Sequence, residues 1–337
     1  CGMDGGRQVA ALLSCGDDGP AIRNQTIMKA SIITAGIFGI VGSVAMAGSV
    51  LPETTSTSVS TSSEGFANAR RPISNPTLFD LALPTTNLHP IFIYHALPDS
   101  INTTAGKVAL GGDVEVYALQ FEIALNERLS IVASKDGYVD MNPDNTLGDE
   151  NGFANLGAGV KYAFILDPAA GTAVSGTLVF ELPTGNTDVF QGEGDGMANL
   201  ILSGLKLVDE WQFAGGTGLH IPFSDEQSTS IWASAHVSYE VNRWFIPLLE
   251  VNWFHVLDAG DGTSTGVSPI VEFEGGDFFN LGASNATENR DLVTAAVGFR
   301  SRLTESVDAG VSYEIPLTND EDSLMQERVT VDLVWKF

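Results

Sequence analysis

The chain has 337 residues, of which 42 are acidic and 16 are basic, so its formal net charge is −26 at neutral pH. This charge excludes nucleic acid as a partner, because phosphate contacts need clustered lysine and arginine. Hydrophobic residues make up 44% of the chain, enough to bury a large apolar surface, and the acidic surplus suits a surface that faces the outside of a cell or attracts cations.

The segment from Met28 reads MKASIITAGIFGIVGSVAMA and has the three parts of a secretory signal. Lys29 supplies the positive charge, residues 32–44 form a short apolar run, and Ala45-Met46-Ala47 is an A-x-A cleavage site. The apolar run is too short to span a bilayer comfortably. The sequence therefore predicts a signal peptide over 28–47.

Residues 1–27 precede this signal, although a signal peptide belongs at an N-terminus. We therefore interpret them as an upstream extension, read in frame from a mis-called start. Cys1 and Cys15 both lie in this extension, and they are the only cysteines of the chain. The mature protein is accordingly expected to form no disulfide and to carry out no thiol chemistry.

Residues 48–87 are rich in serine and threonine and have no hydrophobic periodicity, which predicts a flexible leader. Its one apolar stretch is NPTLFDLALP, Asn75 to Pro84. This stretch could dock against the end of the following domain or inside it, and the pattern alone does not choose between the two.

From residue 88 onwards, segments of ten to thirteen residues alternate apolar and polar side chains. A period of two sends alternate side chains to opposite faces of a strand. The clearest segment covers residues 155–166, and one of its faces carries Leu156, Ala158, Val160, Tyr162, Phe164 and Leu166. The pattern predicts a series of strands as far as Phe337.

The connections between these strands are alternately short and long. The short ones are 126–128, 167–171, 209–210, 242–243 and 304–305, and the longer ones are 139–153, 184–196, 224–229, 257–291 and 317–326. A soluble β-sandwich also alternates polar and apolar residues, but it lacks this asymmetry. Tight periplasmic turns and longer external loops are typical of outer-membrane barrels.

The predicted fold is therefore all-β, a transmembrane antiparallel β-barrel over residues 88–337 in the cell outer membrane. Eleven strands follow residue 113, and His89 to Leu97 adds a twelfth strand, although Pro90 interrupts it. Part of 269–281 could form a hairpin extension. The six predicted external loops hold 20 acidic residues and two basic ones, Lys107 and Arg290, so the outer rim should be acidic. Lipid and lipopolysaccharide are the expected surroundings.

The last strand carries an apolar row that ends on the terminal residue, Phe337, with Trp335, Leu333 and Val331 behind it. This arrangement resembles the C-terminal signature by which the barrel-assembly machinery recognises outer-membrane proteins. The resemblance implies that this machinery is a partner during insertion.

Three segments resemble strands of the outer-membrane family named after the meta-pathway of phenol degradation, whose members are described as porin-like transporters. They are GFANLGAGVKYAF (Gly152 to Phe164), SGTLVFELPTGN (Ser175 to Asn186) and FIPLLEVNW (Phe245 to Trp253). The resemblance covers residues 113–337 and implies a barrel that moves small, often aromatic or hydrophobic compounds.

Charged and amide side chains on the inward faces of the strands are the candidate site. A narrow lumen can be filled by such side chains as a stabilising ion-pair network, or they can form a selectivity constriction or solute site. Both interpretations stay open. The predicted lumen-lining residues are Lys161, Glu250, Asn252, Arg300, Glu122 and Glu314.

The segment DMNPDNTLGDEN partly resembles a calcium loop, because Asp140, Asn142 and Asp144 have the alternate spacing of oxygen ligands. Asn145 stands where such a loop has glycine, and Asn151 stands where it has a bidentate glutamate. A Ca²⁺ site in the external loops is therefore a minor hypothesis beside a solvated acidic loop, and no other cofactor is expected.

The sequence thus predicts a channel or transporter that lets small solutes diffuse through a charged, narrow lumen, with small aromatic or other organic compounds as candidate solutes. The alternative is a structural or surface-interaction barrel that acts through its acidic external loops. Enzymatic activity is not expected, because the one close Ser/His pair, His236 and Ser238, points inward and lacks a recognisable motif.

Overall fold

The computed structural model describes residues 64–262 and 266–337. The predicted upstream extension, the signal peptide and residues 48–63 of the leader lie outside the described residues. Helical structure in the described part is limited to three short 3-10 turns, Glu64–Phe66, Thr187–Val189 and Asp320–Asp322. No helix among these residues is long and apolar enough to cross a membrane.

The described residues form sixteen strands, which are numbered here in chain order. They are β1 (Asn87–Ala96), β2 (Ser100–Ile101), β3 (Val108–Ala109), β4 (Asp113–Ala124), β5 (Leu129–Lys135), β6 (Tyr138–Asn142), β7 (Glu150–Phe153), β8 (Leu156–Asp167), β9 (Thr172–Leu182), β10 (Met197–Val208), β11 (Trp211–Pro222), β12 (Thr229–Tyr239), β13 (Ile246–Asp258), β14 (Asp291–Arg302), β15 (Val307–Pro316) and β16 (Glu327–Lys336).

Fourteen of these strands form one closed antiparallel sheet. Strands β5 and β6 both pair with β4, β8 pairs with β5, and β7 pairs with β6. Consecutive strands β5 and β6 are therefore two halves of one interrupted barrel strand, and β7 and β8 are two halves of the next. The first interruption contains Gly137 at a φ of +133°, a conformation that favours glycine. The barrel therefore has twelve strands, which confirms the predicted fold class.

Strand β1 closes the barrel, because it pairs with β16 on one side and with β4 on the other. The twelfth strand predicted at the front of the barrel is thereby confirmed. Its pairing with β16 skips His89 and Pro90, so the missing N–H of the proline removes no ladder bond on that side. The loop that follows β1 contains the small separate hairpin of β2 and β3.

The two ends of the barrel differ, as the sequence predicts. The turn end, named here for its short connections, carries 125–128, 168–171, 209–210, 240–245 and 303–306. The loop end carries 97–112, 143–149, 183–196, 223–228, 259–262, 266–290 and 317–326. One predicted long loop, 139–153, is shorter than expected, because β6 and β7 extend the wall on both sides of residues 143–149.

The outer wall is an apolar band. Along β8, Leu156, Val160, Tyr162 and Phe164 are each 46–57% exposed, whereas the inward Lys161 is fully buried. Near the turn end, aromatic rings pack together on the outside, as in Trp211 with Tyr239 at 4.8 Å and Trp335 with Phe337 at 4.9 Å between centroids. Apolar bands with aromatic girdles are typical of barrels that face lipid.

Residues 66–86, called here the plug, lie inside the barrel. The chain enters beside Pro168 at the turn end, and Thr77 at its far point donates a hydrogen bond to the carbonyl of Asp277 at 3.1 Å. It then returns to the turn end, where the carbonyl of Thr86 accepts the N–H of Phe337. Residues 66–86 are therefore packed inside the barrel and do not form the flexible leader that the sequence predicted. Their apolar stretch, Asn75 to Pro84, occupies the lumen.

Residues 259–262 and 266–290, between β13 and β14, fill the other end of the lumen and are called here the inserted loop. Its Phe273, Phe278, Phe279 and Leu281 are buried in a cluster with wall residues of β1, β4 and β6. The predicted hairpin extension over 269–281 is wrong, because the only described bridge in this range joins Val271 to Thr103. Burial of the phenylalanines directs this segment inward.

We predict that the close contact of β8 with β9 makes Gly159 important for the stability of the barrel. A Cβ on Gly159 would lie 1.8 Å from the backbone oxygen of Leu178, whereas a Cβ on Gly204 in β10 would meet nothing within 4 Å. Gly159→Ala should cost roughly 1–3 kcal/mol or more, since backbone cannot yield as a side chain can. The measurement is electrophoresis of samples that have been incubated at increasing temperatures, and it records the temperature at which the band of the folded protein disappears. Gly204→Ala is the matched control, and equal temperatures for both variants would contradict the prediction.

Candidate functional site

The six predicted lumen-lining residues all point into the barrel and are at most 2% exposed. The structure places them in contact with the plug or with residues that bind it, in three neighbouring clusters. The sequence therefore predicted their inward direction correctly. Whether they also contact a transported solute stays a prediction.

The first cluster joins the plug to β4 and β8. The Nζ of Lys161 lies 2.5 Å from Asp80 of the plug and 3.0 Å from Glu122 of β4. Arg71 approaches the second oxygen of Asp80 at 3.0 Å, and the N–H of Thr85 donates to Glu122 at 3.2 Å. The buried lysine thus lies between one carboxylate of the wall and one of the plug.

The second cluster joins the plug to β14 and β16. The guanidinium of Arg300 makes a bidentate pair with Asp332, at 2.9 and 2.6 Å. The same guanidinium donates to the carbonyls of Arg71 and Pro72, at 2.6 and 3.3 Å, and His89 contacts Asp332 at 2.7 Å. Arginine suits this position because its planar fork can bind a carboxylate and backbone carbonyls together.

The third cluster centres on Glu250 of β13. Its carboxylate accepts the N–H of Ile73 at 3.0 Å and that of Ser74 at 2.6 Å, so it binds the backbone of the plug. His236 lies 2.7 Å from Glu250 and 2.9 Å from the hydroxyl of Ser238. Since a carboxylate only accepts, Nδ1 of the imidazole donates to Glu250, and Nε2 accepts from Ser238.

This Ser–His–Glu order resembles a nucleophile relay. However, Ser238 is 2% exposed and the carboxylate is already bound to the plug. The arrangement therefore supports a positioning role for His236 and Ser238, in which they orient Glu250 towards the plug.

Arg328 of β16 extends the third cluster to the inserted loop. It pairs with Glu314 of β15 at 2.7 Å and with Asp277 of the inserted loop at 2.7 Å, and it also donates to the carbonyl of Ser74 in the plug. Asn252 completes this group by donating to Glu314 at 2.9 Å and to the hydroxyl of Ser74 at 3.0 Å. One guanidinium thus links the wall, the plug and the inserted loop.

These contacts support the interpretation of the inward charges as a stabilising ion-pair network. Sequence reasoning missed the residues of the plug and the inserted loop that complete it, because the wall alone shows the alternating pattern. A signal was present in Arg70-Arg71, which precede the apolar stretch of the leader by three residues. Two adjacent cations beside an apolar segment in an acidic chain indicate a segment that binds carboxylates.

Beside this network, the lumen contains a cavity of about 20 Å³, near the meeting point of the plug and the inserted loop. Residues of β10 and β11 line it, with Leu78 of the plug and Phe278 of the inserted loop. This volume is room for about one water molecule. In this conformation the cavity is therefore too small for an organic solute, and the plug and the inserted loop occupy the lumen around it.

The three candidate calcium ligands lie in a local structure that differs from the predicted loop. Asp140 and Asn142 belong to strand β6, and Asp144 lies in the loop after it, so the three residues do not share one loop. Among the described residues, no group of three or more His, Cys, Asp or Glu side chains is arranged to hold a metal. Ca²⁺ binding at these residues stays a prediction.

Two external-loop carboxylates are unusual in their environment. Burial raises the pKa of Glu193 to about 8, with further contributions from the negative charges of Glu274 and Glu226. Burial also raises the pKa of Glu274 to about 7, although hydrogen bonds from Ser228, Leu281 and Ala283 oppose the shift. Both groups lie outside the strands, where the loops after β9 and β13 pack together.

Comparison with known proteins gives a fold and no family. No family model and no curated protein sequence matches the chain. Among solved structures, an outer membrane channel from Pseudomonas putida F1 has a TM-score of 0.53 at 17% identity, over 75% of this chain and 96% of that one. The NanC porin has a TM-score of 0.46 at 10% identity, over 74% and 100% of the two chains. The β domain of the Bordetella autotransporter BrkA has a TM-score of 0.43 at 10% identity, over 75% and 100%.

The first of these likenesses shows that the fold is that of an outer-membrane β-barrel. The closed sheet and the exposed apolar band agree with it, because only a closed sheet satisfies every strand hydrogen bond in lipid. The protein is thus a twelve-stranded barrel of the cell outer membrane. The resemblance to the phenol meta-pathway family stays a prediction, since no family model supports it.

We predict that Glu193 makes the folded protein less stable as the pH rises. A carboxyl with a folded pKa of about 8 retains its proton where the unfolded chain, near 4.5, has lost it. The associated stability is full below the unfolded pKa and is lost as the pH rises towards 8. Glu193→Gln should flatten this part of the stability profile, measured as Tm between pH 4 and 9.

Glu288, an exposed carboxylate of the inserted loop, provides the control variant. Glu288→Gln should leave the profile of the wild-type protein unchanged. A Tm profile of Glu193→Gln that falls with pH as steeply as that of the wild type would rule out the role assigned to Glu193.

Proposed function

We propose that this protein is an outer-membrane channel for small solutes and that the plug gates its lumen. The observation that carries the proposal is that the barrel encloses a chain segment, residues 66–86, that is not part of its wall. Wall side chains alone therefore do not fill the barrel. A barrel with only a structural role could close its interior with its own side chains, as small barrels do.

The contacts of the plug are of a kind that can open and re-form. Ion pairs and hydrogen bonds hold one side of the plug to the wall, and the charged groups it would leave behind there can be hydrated. Release of the plug would leave a lumen with Lys161, Arg300 and Glu250 on its surface, a charged path for passive diffusion. The fold shared with the Pseudomonas putida channel supports this function.

The cargo is proposed from the sequence alone. Small organic compounds, including aromatic ones, follow from the resemblance to the meta-pathway family. We also propose that the protein assembles through β16 with the barrel-assembly machinery and contacts lipopolysaccharide through its external rim. The acidic loops would attract divalent cations that bridge them to lipid phosphates.

A second candidate is a structural or surface-interaction barrel, and the closed lumen favours it. The inserted loop buries Phe273, Phe278 and Phe279 over the loop end, and the plug closes the turn end. In such a barrel the acidic loops would carry the activity, and no variant of the lumen would conduct ions.

A conductance measurement decides between these candidates. We predict that Glu250→Gln opens the channel more often than the wild type does in a planar bilayer. Removal of the charge weakens the hydrogen bonds to Ile73 and Ser74, and such charge-assisted bonds contribute about 1.5–3 kcal/mol. The ratio of open to closed states should therefore rise roughly ten- to hundredfold.

Asp308→Asn is the matched control. Asp308 is also a buried inward carboxylate, but it pairs with Lys336 of the wall at 2.8 Å. This variant should open as rarely as the wild type. Silent bilayers at high protein loading for all three proteins would reject the channel in favour of the structural barrel.

A further inference from the structure

The plug contacts the barrel wall in two different ways. Towards β13–β16, β1, β4 and β8 it is held by the three charged clusters described above. Towards β9, β10 and β11 its contacts are mainly apolar: Leu78 and Phe79 cluster with Ile201, and Leu81 to Leu83 cluster with Ala173 and Leu205. The cluster of Leu78 and Phe79 continues to Trp232 of β12, Phe254 of β13 and Leu292 of β14. The polar exception on these strands is Gln212, near the turn end, which exchanges hydrogen bonds with the backbone of Arg70.

On this apolar side, six buried polar atoms of the wall have no hydrogen-bond partner. They belong to four consecutive strands, and we call them the neutral track: Ser175 Oγ, Thr177 Oγ1, Asn199 Oδ1, Ser203 Oγ, His220 Nε2 and Trp232 Nε1. An unpaired polar group inside a protein costs stability. Six on four adjacent strands give this face of the lumen free hydrogen-bonding capacity that a ligand could use.

The strand register shows that these atoms are contiguous. Ser175 faces Ser203 across β9 and β10, and Asn199 faces His220 across β10 and β11. Between these two pairs lies a row of residues that face each other across neighbouring strands, from Thr177 through Ile201 and Gly218 to Trp232. The track therefore crosses three successive inward rows of facing residues, roughly 13 Å along the strands at about 3.3 Å per residue.

The track ends at the lumenal cavity, which Asn199 and His220 line together with Lys135 and Glu181. These two charged residues pair with each other at 2.6 Å. The track itself thus carries hydroxyl, amide, imidazole and indole groups only. An ion moving along it would leave water without a compensating charge, which is unfavourable in a dry environment.

The middle of the track combines these groups with flat apolar surface. A Cβ on Gly216 would lie 3.0 Å from the ring of Phe79 and 3.2 Å from the ring of Trp232, so both rings lie directly against the backbone of β11. Aromatic rings beside hydroxyl and amide groups fit a compact solute with an apolar ring face and hydroxyls at its edge.

We propose that the neutral track is the solute path of this channel and that it takes uncharged, polyhydroxylated ring compounds of the size of a monosaccharide. The proposal rests on the proposed channel function. It assigns the path to the side of the lumen opposite the charged clusters. The cavity holds about one water molecule, so Leu78 and Phe79 must move away from the wall to admit a sugar. This smaller opening keeps the ion pairs of the plug intact, whereas the charged path described above opens only when those ion pairs are released.

The test is solute uptake by liposomes that contain the full chain. Glucose, glucuronate and glucosamine are ring compounds of similar size that are neutral, negative and positive at neutral pH. Glucose should enter fastest. Glucuronate or glucosamine entering as fast as glucose would overturn the neutral path.

Two double variants locate the path. Thr177→Val with Ser203→Ala removes two hydroxyls of the track, and glucose entry should fall roughly fivefold for the loss of about one net hydrogen bond. Thr330→Val with Ser312→Ala is the control, because these residues are also buried, inward and unpartnered and face each other across β15 and β16. Neither pair has a partner to lose, so neither variant should unfold.

The control should leave glucose entry unchanged. Equal rates for the two double variants, in liposomes that conduct ions, would overturn the track and leave the channel standing. Liposomes that pass neither ions nor any of the three solutes, in the wild type and in Glu250→Gln, would overturn both.

Binding of glucose to the track can also be measured through the fluorescence of Trp232. It is 1% exposed, whereas Trp211, Trp244 and Trp335 are on the outer surface. Glucose should change the tryptophan fluorescence of the wild-type protein, and the change should be absent in Trp232→Phe. A change of equal size in both proteins would place the sugar elsewhere and overturn the assignment.

Discussion

The pairing of β1 with β16 is the constraint on which the rest of the structure depends. In lipid a sheet with open edges would leave backbone N–H and C=O groups without partners, and closure removes both edges. Closure at twelve strands encloses more space than the inward side chains of the wall occupy. The plug and the inserted loop fill that space, so both follow from the strand count.

The filling segments face a wall with two kinds of surface. Where the wall carries charge, each buried ion has an opposite charge or several hydrogen bonds from the plug, as Arg300 does with Asp332 and two plug carbonyls. Where the wall is neutral, contact with the plug is mainly apolar. Contacts of the first kind fix position and those of the second kind allow sliding, since apolar contact has no directional requirement.

The barrel could be predicted from the sequence because a period of two is a local property. Each strand shows its lipid face in its own residues, as β8 does with Leu156, Val160 and Tyr162, and loop lengths supply the topology. The inward direction of Lys161 and Arg300 followed from the same alternation. Their partners could not be predicted, because Asp80 and the carbonyl of Arg71 lie far away in sequence and have no periodic relation to the strands.

By itself, the sequence determined that twelve amphipathic strands close in a membrane and which residues face inward, since both depend on alternation within each strand. Tertiary structure alone decided that residues 66–86 enter the lumen, that the inserted loop turns inward instead of forming a hairpin, and that the inward hydroxyls of β9 and β10 are left without partners. These outcomes depend on how well distant segments fit one enclosed volume, and no local pattern encodes that fit.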